Sequence, residues 1–370
     1  MSANYKKLGD YITQRREKNT AINLPICGVC REGLIPPKQQ DADISLYNVF
    51  YKNDFIFNPA RMELNSITLN TEYDKAICSS LYEIFYINDT SKLLPEFLFV
   101  QLKTDNFVRF CEFQGQGSVR EYCRFANISE YPVIVPDLKE QEKIVNTYNA
   151  ITKRIQLKQK INENLEKTAQ CLFDELNISK KSFEEKTIAE ISNSVICGKT
   201  PSTAIKEYWG TDIPFITIPD MHGKNFISQT ERYLSQEGKS SQENQTLPPK
   251  SICVSCIATV GLVSITTTIS QTNQQINSII CKEGISPFYV FMTLKGMNEE
   301  LKRLGAGGST TLNISKSLFS SIKIAIPNKK EMDLFENEIS PIFDSILMNE
   351  KEISKLQELK QLVISRISGM

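Results

Sequence analysis

The sequence predicts an α+β protein: two mixed α/β domains joined by two long antiparallel coiled-coil helices, arranged as a pseudo-two-fold internal repeat. Three observations carry this expectation. "VIVPDLKEQEKI" at 133–144 recurs as "IAIPNKKEMDLF" at 324–335, with Pro136 matching Pro327 and Lys139-Glu140 matching Lys330-Glu331. Each copy is followed by a long heptad-patterned segment, and each is preceded by a stretch of short β-like runs. The chain has 370 residues, beyond the roughly 100–200 of one domain, so two copies of one unit fit its length.

The expected units are 1–135 and 179–327 for the globular copies, with 136–178 and 328–370 as the helices that follow them. Each globular copy opens on a short amphipathic segment, "YKKLGDYI" or "EKTIAEIS". β-like runs bounded by Gly, Pro, Asn and Asp come next: "LYNVFYKNDFIFNP" and "AICSSLYEIFYI" in the first copy, "IPFITIPDM" and "ICVSCIATVGLVSIT" in the second. A helix is expected over "LPEFLFVQLKTDNFVRFC" and over "SPFYVFMTLKGMNEELKRL". Glycines, a last strand and the motif proline close each copy, the proline stopping the strand and acidic residues occupying the first helical turn.

In the second long helix Phe335, Ile339, Ile342, Ile346, Ile353, Leu356, Val363 and Ile367 fall on alternating steps of four and three, interrupted by Asn349 and Lys360. The corresponding slots of the first hold Ile144, Tyr148, Ile151, Ile155, Leu165, Ala169, Leu172 and Leu176, interrupted by Lys158 and Asn162. Lys158 and Asn349 share a slot. A polar residue in a seam costs stability but fixes register, so this slot reads as a register device. Pro341 is expected to kink the second helix or mark a frayed first turn. At about 1.5 Å per residue, helices of roughly 36 residues span on the order of 55 Å. Paired antiparallel, they would form a rod with a globular copy at each end.

Composition narrows the function classes. The hydrophobic fraction is 41% and the charged fraction 23%, with no apolar run long enough for a membrane span. The start, "MSANYKKLGDYITQRREK", has no apolar signal core, so a cytoplasmic protein is expected. Formal charge is zero overall, about −1 over 1–135 and about +3 over 179–327, so nucleic-acid contact would rest on local patches or a basic partner. The one histidine, His222, lies in the turn-like "PDMHGKNF". A single histidine leaves little room for His-based catalysis or His-rich metal centres. Of ten cysteines, Cys27/Cys30 and Cys253/Cys256 form CxxC pairs that could give four zinc thiolates. The apolar, β-branched run "SICVSCIATVG" favours buried, reduced thiols.

Two motifs invite enzymatic readings. "NPAR" at 58–61 lacks the second proline and the aromatic residue of an amino-methyltransferase loop, and residues 1–57 are too short for a cofactor-binding unit before it. "GAGGSTTLNIS" at 305–315 has no lysine after its glycines, as a Walker loop requires. It also sits between a helix ending near Leu304 and a strand beginning near Ile322, the reverse of a dinucleotide fingerprint. Gly305 is expected to cap that helix. "GQGSVR" at 115–120 occupies the matching place in the first copy.

Two variable α/β domains, separated and followed by matching long helices, resemble the specificity subunit of type I restriction-modification systems. "GKTPS" (198–202), "EYWGTDIPFITIPDM" (207–221), "SICVSCIATVG" (251–261) and "TNQQINSI" (272–279) are similar to one common wording of its recognition domain. "NVFYKNDFIFNPARM" and "AICSSLYEIF" are similar to another. The resemblance implies a non-catalytic subunit in which each globular copy reads, in the major groove, one half of a bipartite target in double-stranded DNA. It implies that the helices set the spacer. It further implies two methyltransferase subunits carrying S-adenosylmethionine, and restriction subunits using ATP and Mg, with no cofactor or metal on this chain. Arg61, Gly117, Ser118, Arg120, Lys199, Thr200, Ser202, Ser309, Thr310 and Thr311 are the candidate DNA contacts, as loop cations, hydroxyls and backbone N–H groups able to meet phosphate or base edges. For the glycine loops, plain connection is the competing reading; Trp209, the only tryptophan, reads as a packing anchor. The rival functions are a coiled-coil adaptor with two protein-binding ends and a two-lobed methyltransferase or nuclease.

Overall fold

The computed structural model describes residues 5–369 apart from 22, 32, 38–42, 116–121, 179–182 and 307–311. The chain divides into two compact units, residues 1–157 with 354–370, and residues 158–353. Both divisions fall inside long helices, Leu138–Ile178 and Lys329–Gly369, so each unit owns one α/β body and a segment of each helix.

In the first unit the opening strand Lys6–Lys7 pairs antiparallel with Pro132–Val133, the strand just before the motif proline. One four-stranded sheet runs Ile12–Arg15, Glu83–Ile87, Phe55–Phe57, Ile67–Leu69. Another runs Leu34–Ile35, Ile26–Val29, Lys75–Cys78, Asn48–Tyr51. The turn between Tyr51 and Phe55 needs a left-handed residue, and Asn53 supplies it at φ 67°. Phe55 and Phe85 stack at 4.8 Å in the core. That core also takes Ile144, Val145 and Tyr148 from the first long helix and Ile364 from the second.

The second unit repeats the plan. Its opening strand Glu184–Thr187 pairs antiparallel with Lys323–Ile326, again the strand before the motif proline. A five-stranded sheet runs Ser192–Cys197, Ile276–Cys281, Ile252–Ser255, Val263–Thr266, Phe226–Ile227. A four-stranded sheet runs Trp209–Gly210, Arg232–Leu234, Ile213–Ile216, Gln271–Thr272. The core is aromatic where it meets the long helix: Phe288 stacks on Phe343 at 4.6 Å and Phe291 meets the same ring edge-on.

Within each unit the two helix segments run antiparallel. Tyr148 lies under Lys360 in the first; in the second, Lys158 meets Asn349, Asn162 meets Ile346, and Phe173 meets Phe335. Ile144, Tyr148, Ile151, Ile155, Phe335, Ile339 and Ile346 are buried. Leu165, Leu172, Ile342, Ile353, Leu356 and Val363 are half-buried, and at two places the neighbouring residue, Phe343 or Ile364, is the deeply buried one. A helix that packs on its domain as well as on its partner buries a stripe wider than the a/d seam. The Ile367 side chain lies outside the described residues.

Three local expectations need correction. Each single helix expected before the glycines is two: Pro95–Leu102 then Asp105–Gly115, and Pro287–Gly296 then Asn298–Gly305. Pro341 lies inside the second long helix, well past its first turn, so it does not mark a frayed start. A short helix, Lys316–Ser321, stands between the glycine loop and the last strand, its first turn capped by Ser315 accepting from the Leu318 N–H.

Candidate nucleic-acid interface

In the second unit three of the sequence landmarks meet. Gly198 starts the GKTPS segment, where a Cβ would fall 2.1 Å from Thr272 Oγ1 and 2.2 Å from the Asn273 carbonyl; only glycine lets the backbones pass. Lys199 N–H then donates to Thr272 O at 2.9 Å, and Thr200 Oγ1 donates to Gln274 Oε1 at 2.8 Å. "GKTPS" and "TNQQINSI" are thus two sides of one structure. Beneath it, Gln242 Nε2 donates to Lys199 O and to the buried Gln271 Oε1, while Gln271 Nε2 reaches Lys239 O and Thr246 Oγ1. This buried amide network holds the loop from below. Lys199 and Ser202 are exposed above it and Thr200 is half-buried.

The same loop touches the tryptophan. Trp209 Nε1 donates to Ser202 O at 3.4 Å, and the indole packs edge-on against Phe215 at 5.3 Å. On Trp209 lies Arg232, its guanidinium carbon 3.6 Å from the ring centroid, a contact absent from the candidates read from the sequence.

"SICVSCIATVG" contributes differently. Cys253 and Cys256 are buried, and burial pushes their thiols up to about 12 and about 11. Beyond the strand, Ala258 N–H donates to Leu312 O and Ile314 N–H to Cys256 O, which fixes the far side of the glycine loop. Gly305 does not cap: it is the last helical residue and Ala306 is the cap. Gly117, Ser118, Arg120, Ser309, Thr310 and Thr311 lie outside the described residues.

In the first unit Arg61 is exposed and lines a cleft of about 740 Å³ with Asn58, Cys27, Cys30, Arg31 and Tyr82. The "NPAR" asparagine is a cap: Asn58 Oδ1 accepts the Ala60 N–H at 3.1 Å and starts the turn Pro59–Leu64. Arg61 interrupts that turn at φ −140°, ψ 33°. Elsewhere in this unit, Arg15 binds the buried Asp54 through two nitrogens, at 2.6 and 3.0 Å, and is flanked by Tyr51 and Tyr86 at 4.7 and 4.6 Å. His222 is exposed at the end of Ile218–Met221. Cys27/Cys30 and Cys253/Cys256 fall in different units, and no cluster of metal-ligating residues occurs among the described residues.

Lys158 and Asn349 are 191 residues apart, mates in the repeat. Lys158 Nζ donates to Asn349 Oδ1 at 2.8 Å and pairs with Glu352 at 2.9 Å. Asn349 Nδ2 donates to Asn162 Oδ1 at 2.7 Å, and Asn162 Nδ2 to Ile346 O at 3.4 Å. Both asparagines are buried and use both ends of their amides.

Two stretches, 35–167 and 180–362, match the family described as "Type I restriction modification DNA specificity domain". The chain belongs to that family. It is 32% identical to the HindI specificity subunit of Haemophilus influenzae over 376 residues, covering 81% of this chain and 82% of that one. It is 34% identical to the MjaIX specificity subunit of Methanocaldococcus jannaschii over 193 residues, 50% of this chain and 44% of that one. Among solved structures, the type I restriction-modification S subunit from M. genitalium shares the fold at a TM-score of 0.67 and 14% identity, with 99% of this chain and 96% of that chain covered. This specificity subunit therefore serves DNA sequence recognition. Among its described residues, no helix is long and apolar enough to cross a membrane.

Proposed function

We propose that this specificity subunit does no chemistry and reads a bipartite double-stranded target. Its first globular copy reads one half-site, its second the other, each in the major groove, and the helical segments fix the spacer. The observation that carries this reading is the repeat: both units pair their first strand with the strand before the motif proline and then enter a long helix, while the sequences of their loops differ. Matching scaffolds with unlike loops suit unlike half-sites at a fixed distance. The polar knot of Lys158, Asn162, Asn349 and Glu352 acts as the register device that a fixed spacer needs.

The partners follow from chemistry that this chain leaves to others. Two methyltransferase subunits bind the helices, bring S-adenosylmethionine, and supply the basic DNA-enclosing surface that a chain of zero net charge lacks. Restriction subunits with ATP and Mg complete a cleaving complex in the cytoplasm. Arg61, Lys199, Thr200 and Ser202, with the glycine-loop residues Gly117, Ser118, Arg120, Ser309, Thr310 and Thr311, are the proposed contacts to phosphate and base edges. The test is co-expression with the cognate methyltransferase subunit and genome-wide mapping of modified adenines. A motif of two short half-sites with one gap length supports the reading; no motif, or a contiguous one, overturns it.

A further inference from the structure

We propose that Arg232 is a guanine-reading side chain of the second recognition domain, held by its stack on Trp209 for bidentate contact with the O6/N7 edge. This rests on the DNA-reading function above and names one of its contacts.

The geometry suits that task. Guanine is read in the major groove by a planar fork of donors that meets two acceptors at once, and arginine is the side chain that carries one. At 3.6 Å from the indole centroid, the guanidinium uses its flat face on the ring and leaves its N–H groups in the plane for another partner. Arg232 is exposed, and its guanidinium makes no hydrogen bond or ion pair among the described residues. The indole itself is held, edge-on to Phe215 and bonded to Ser202 O. An arginine stacked on a fixed ring loses less freedom on binding than one swinging in solvent.

Position agrees. Arg232 belongs to the four-stranded sheet whose edges are Trp209–Gly210 and Gln271–Thr272. The first edge holds Ser202 through Trp209, and the second receives the Lys199 N–H. Both ends of the GKTPS loop are thus tied to the sheet that presents Arg232. Residues 179–327 contain only two arginines, Arg232 and Arg303, and Arg303 acts on Glu299 of its own helix. Several lysines of the domain are already engaged: Lys239 with Glu243, Lys302 with Glu299, Lys295 with Asn225 and Lys282 with the Glu190 carbonyl.

The test compares R232A and R232K with the unchanged chain, each assembled with its methyltransferase subunits, by mapping modified adenines. The expected result is degeneracy at one G·C position of one half-site, with discrimination there falling roughly 10- to 100-fold, and the other half-site and the spacer unchanged. R232K relaxes the same position, because an ammonium has no fork. An unchanged motif in R232A overturns the proposal, as does a uniform loss of methylation with the motif intact, which marks a phosphate contact. Absence of a bipartite motif in the unchanged chain would instead defeat the underlying function. Should R232A fail to assemble, the unchanged protein decides. Trp209 is the sole tryptophan, so 5-fluorotryptophan labelling of this chain alone gives a single fluorine resonance in the complex. A cognate duplex should shift it, and 7-deazaguanine at the read position, which lacks N7, should diminish the shift; a resonance indifferent to the cognate duplex refutes the contact.

Discussion

Replacing Asn349 by leucine removes the donor to Asn162 Oδ1 at 2.7 Å and the acceptor of Lys158 Nζ at 2.8 Å. Lys158 keeps Glu352 at 2.9 Å, so its charge stays paired. Asn162 is 8% exposed, and its oxygen has no replacement partner, a situation that costs about 1–3 kcal/mol. Asn162→Leu leaves the Asn349 amide N–H in the same position, at a similar cost of about 1–3 kcal/mol. The double variant presents leucine to leucine across the seam and is expected to be nearly as stable as the unchanged chain. The non-additivity, about 2–6 kcal/mol because the two single costs vanish together, is the signature. It is read from urea unfolding midpoints of the four proteins under one condition. Single substitutions each within about 0.5 kcal/mol of the unchanged chain, or a double equal to their sum, would refute the reasoning that the knot is a closed buried network.

Other outcomes follow from particular groups. Arg15→Ala strands the Asp54 carboxylate, 1% exposed, and should destabilise by about 3 kcal/mol in urea unfolding; a loss below about 1 kcal/mol would contradict it. Burial, with Glu166 beside it, pushes the Glu350 carboxyl up to about 7 from its ordinary 4.5. A raised acid pKa means the folded chain holds that proton more tightly, so this contribution is fully present below the ordinary value and is lost as pH rises through about 7. Glu350→Gln should flatten stability against pH across that window and raise it by roughly 2 kcal/mol at about pH 8; an unaltered pH profile would count against it. At about pH 8, alkylation followed by peptide mapping should modify the exposed Cys171 rapidly and Cys253 and Cys256 only on unfolding; equal rates would show that those thiols are not buried.

The repeat and the long helices were legible because both depend on short-range rules: a proline that ends a strand, acidic residues in a first turn, apolar residues every three or four positions. The finer seam was less so. Phe343 and Ile364 sit one position from expected seam residues, since the helix face is shared between a partner helix and an α/β body, and the sequence carries no marker of that sharing. The break after Leu102 was hidden because Lys103, which looks like a solvent residue, turns to the carbonyls of Arg31 and Ile67. The helix Lys316–Ser321 did leave a signal: Ser315 stands three residues before Leu318 as a cap. GKTPS was visible as a motif, but its seat on Thr272 and Gln274 joins segments more than seventy residues apart. Arg232 was invisible for the same reason, because the register that pairs Trp209 with Leu234 brings the two residues together and no local pattern encodes it.

If the two halves of the chain read DNA independently across a fixed gap, exchanging residues 1–135 for those of another family member replaces one reader and leaves the other in place. Modified adenines are mapped genome-wide for both proteins, each assembled with the same methyltransferase subunits. One half-site is expected to change while the other half-site and the spacer length stay as they were. A change in both half-sites, or in neither, would contradict it.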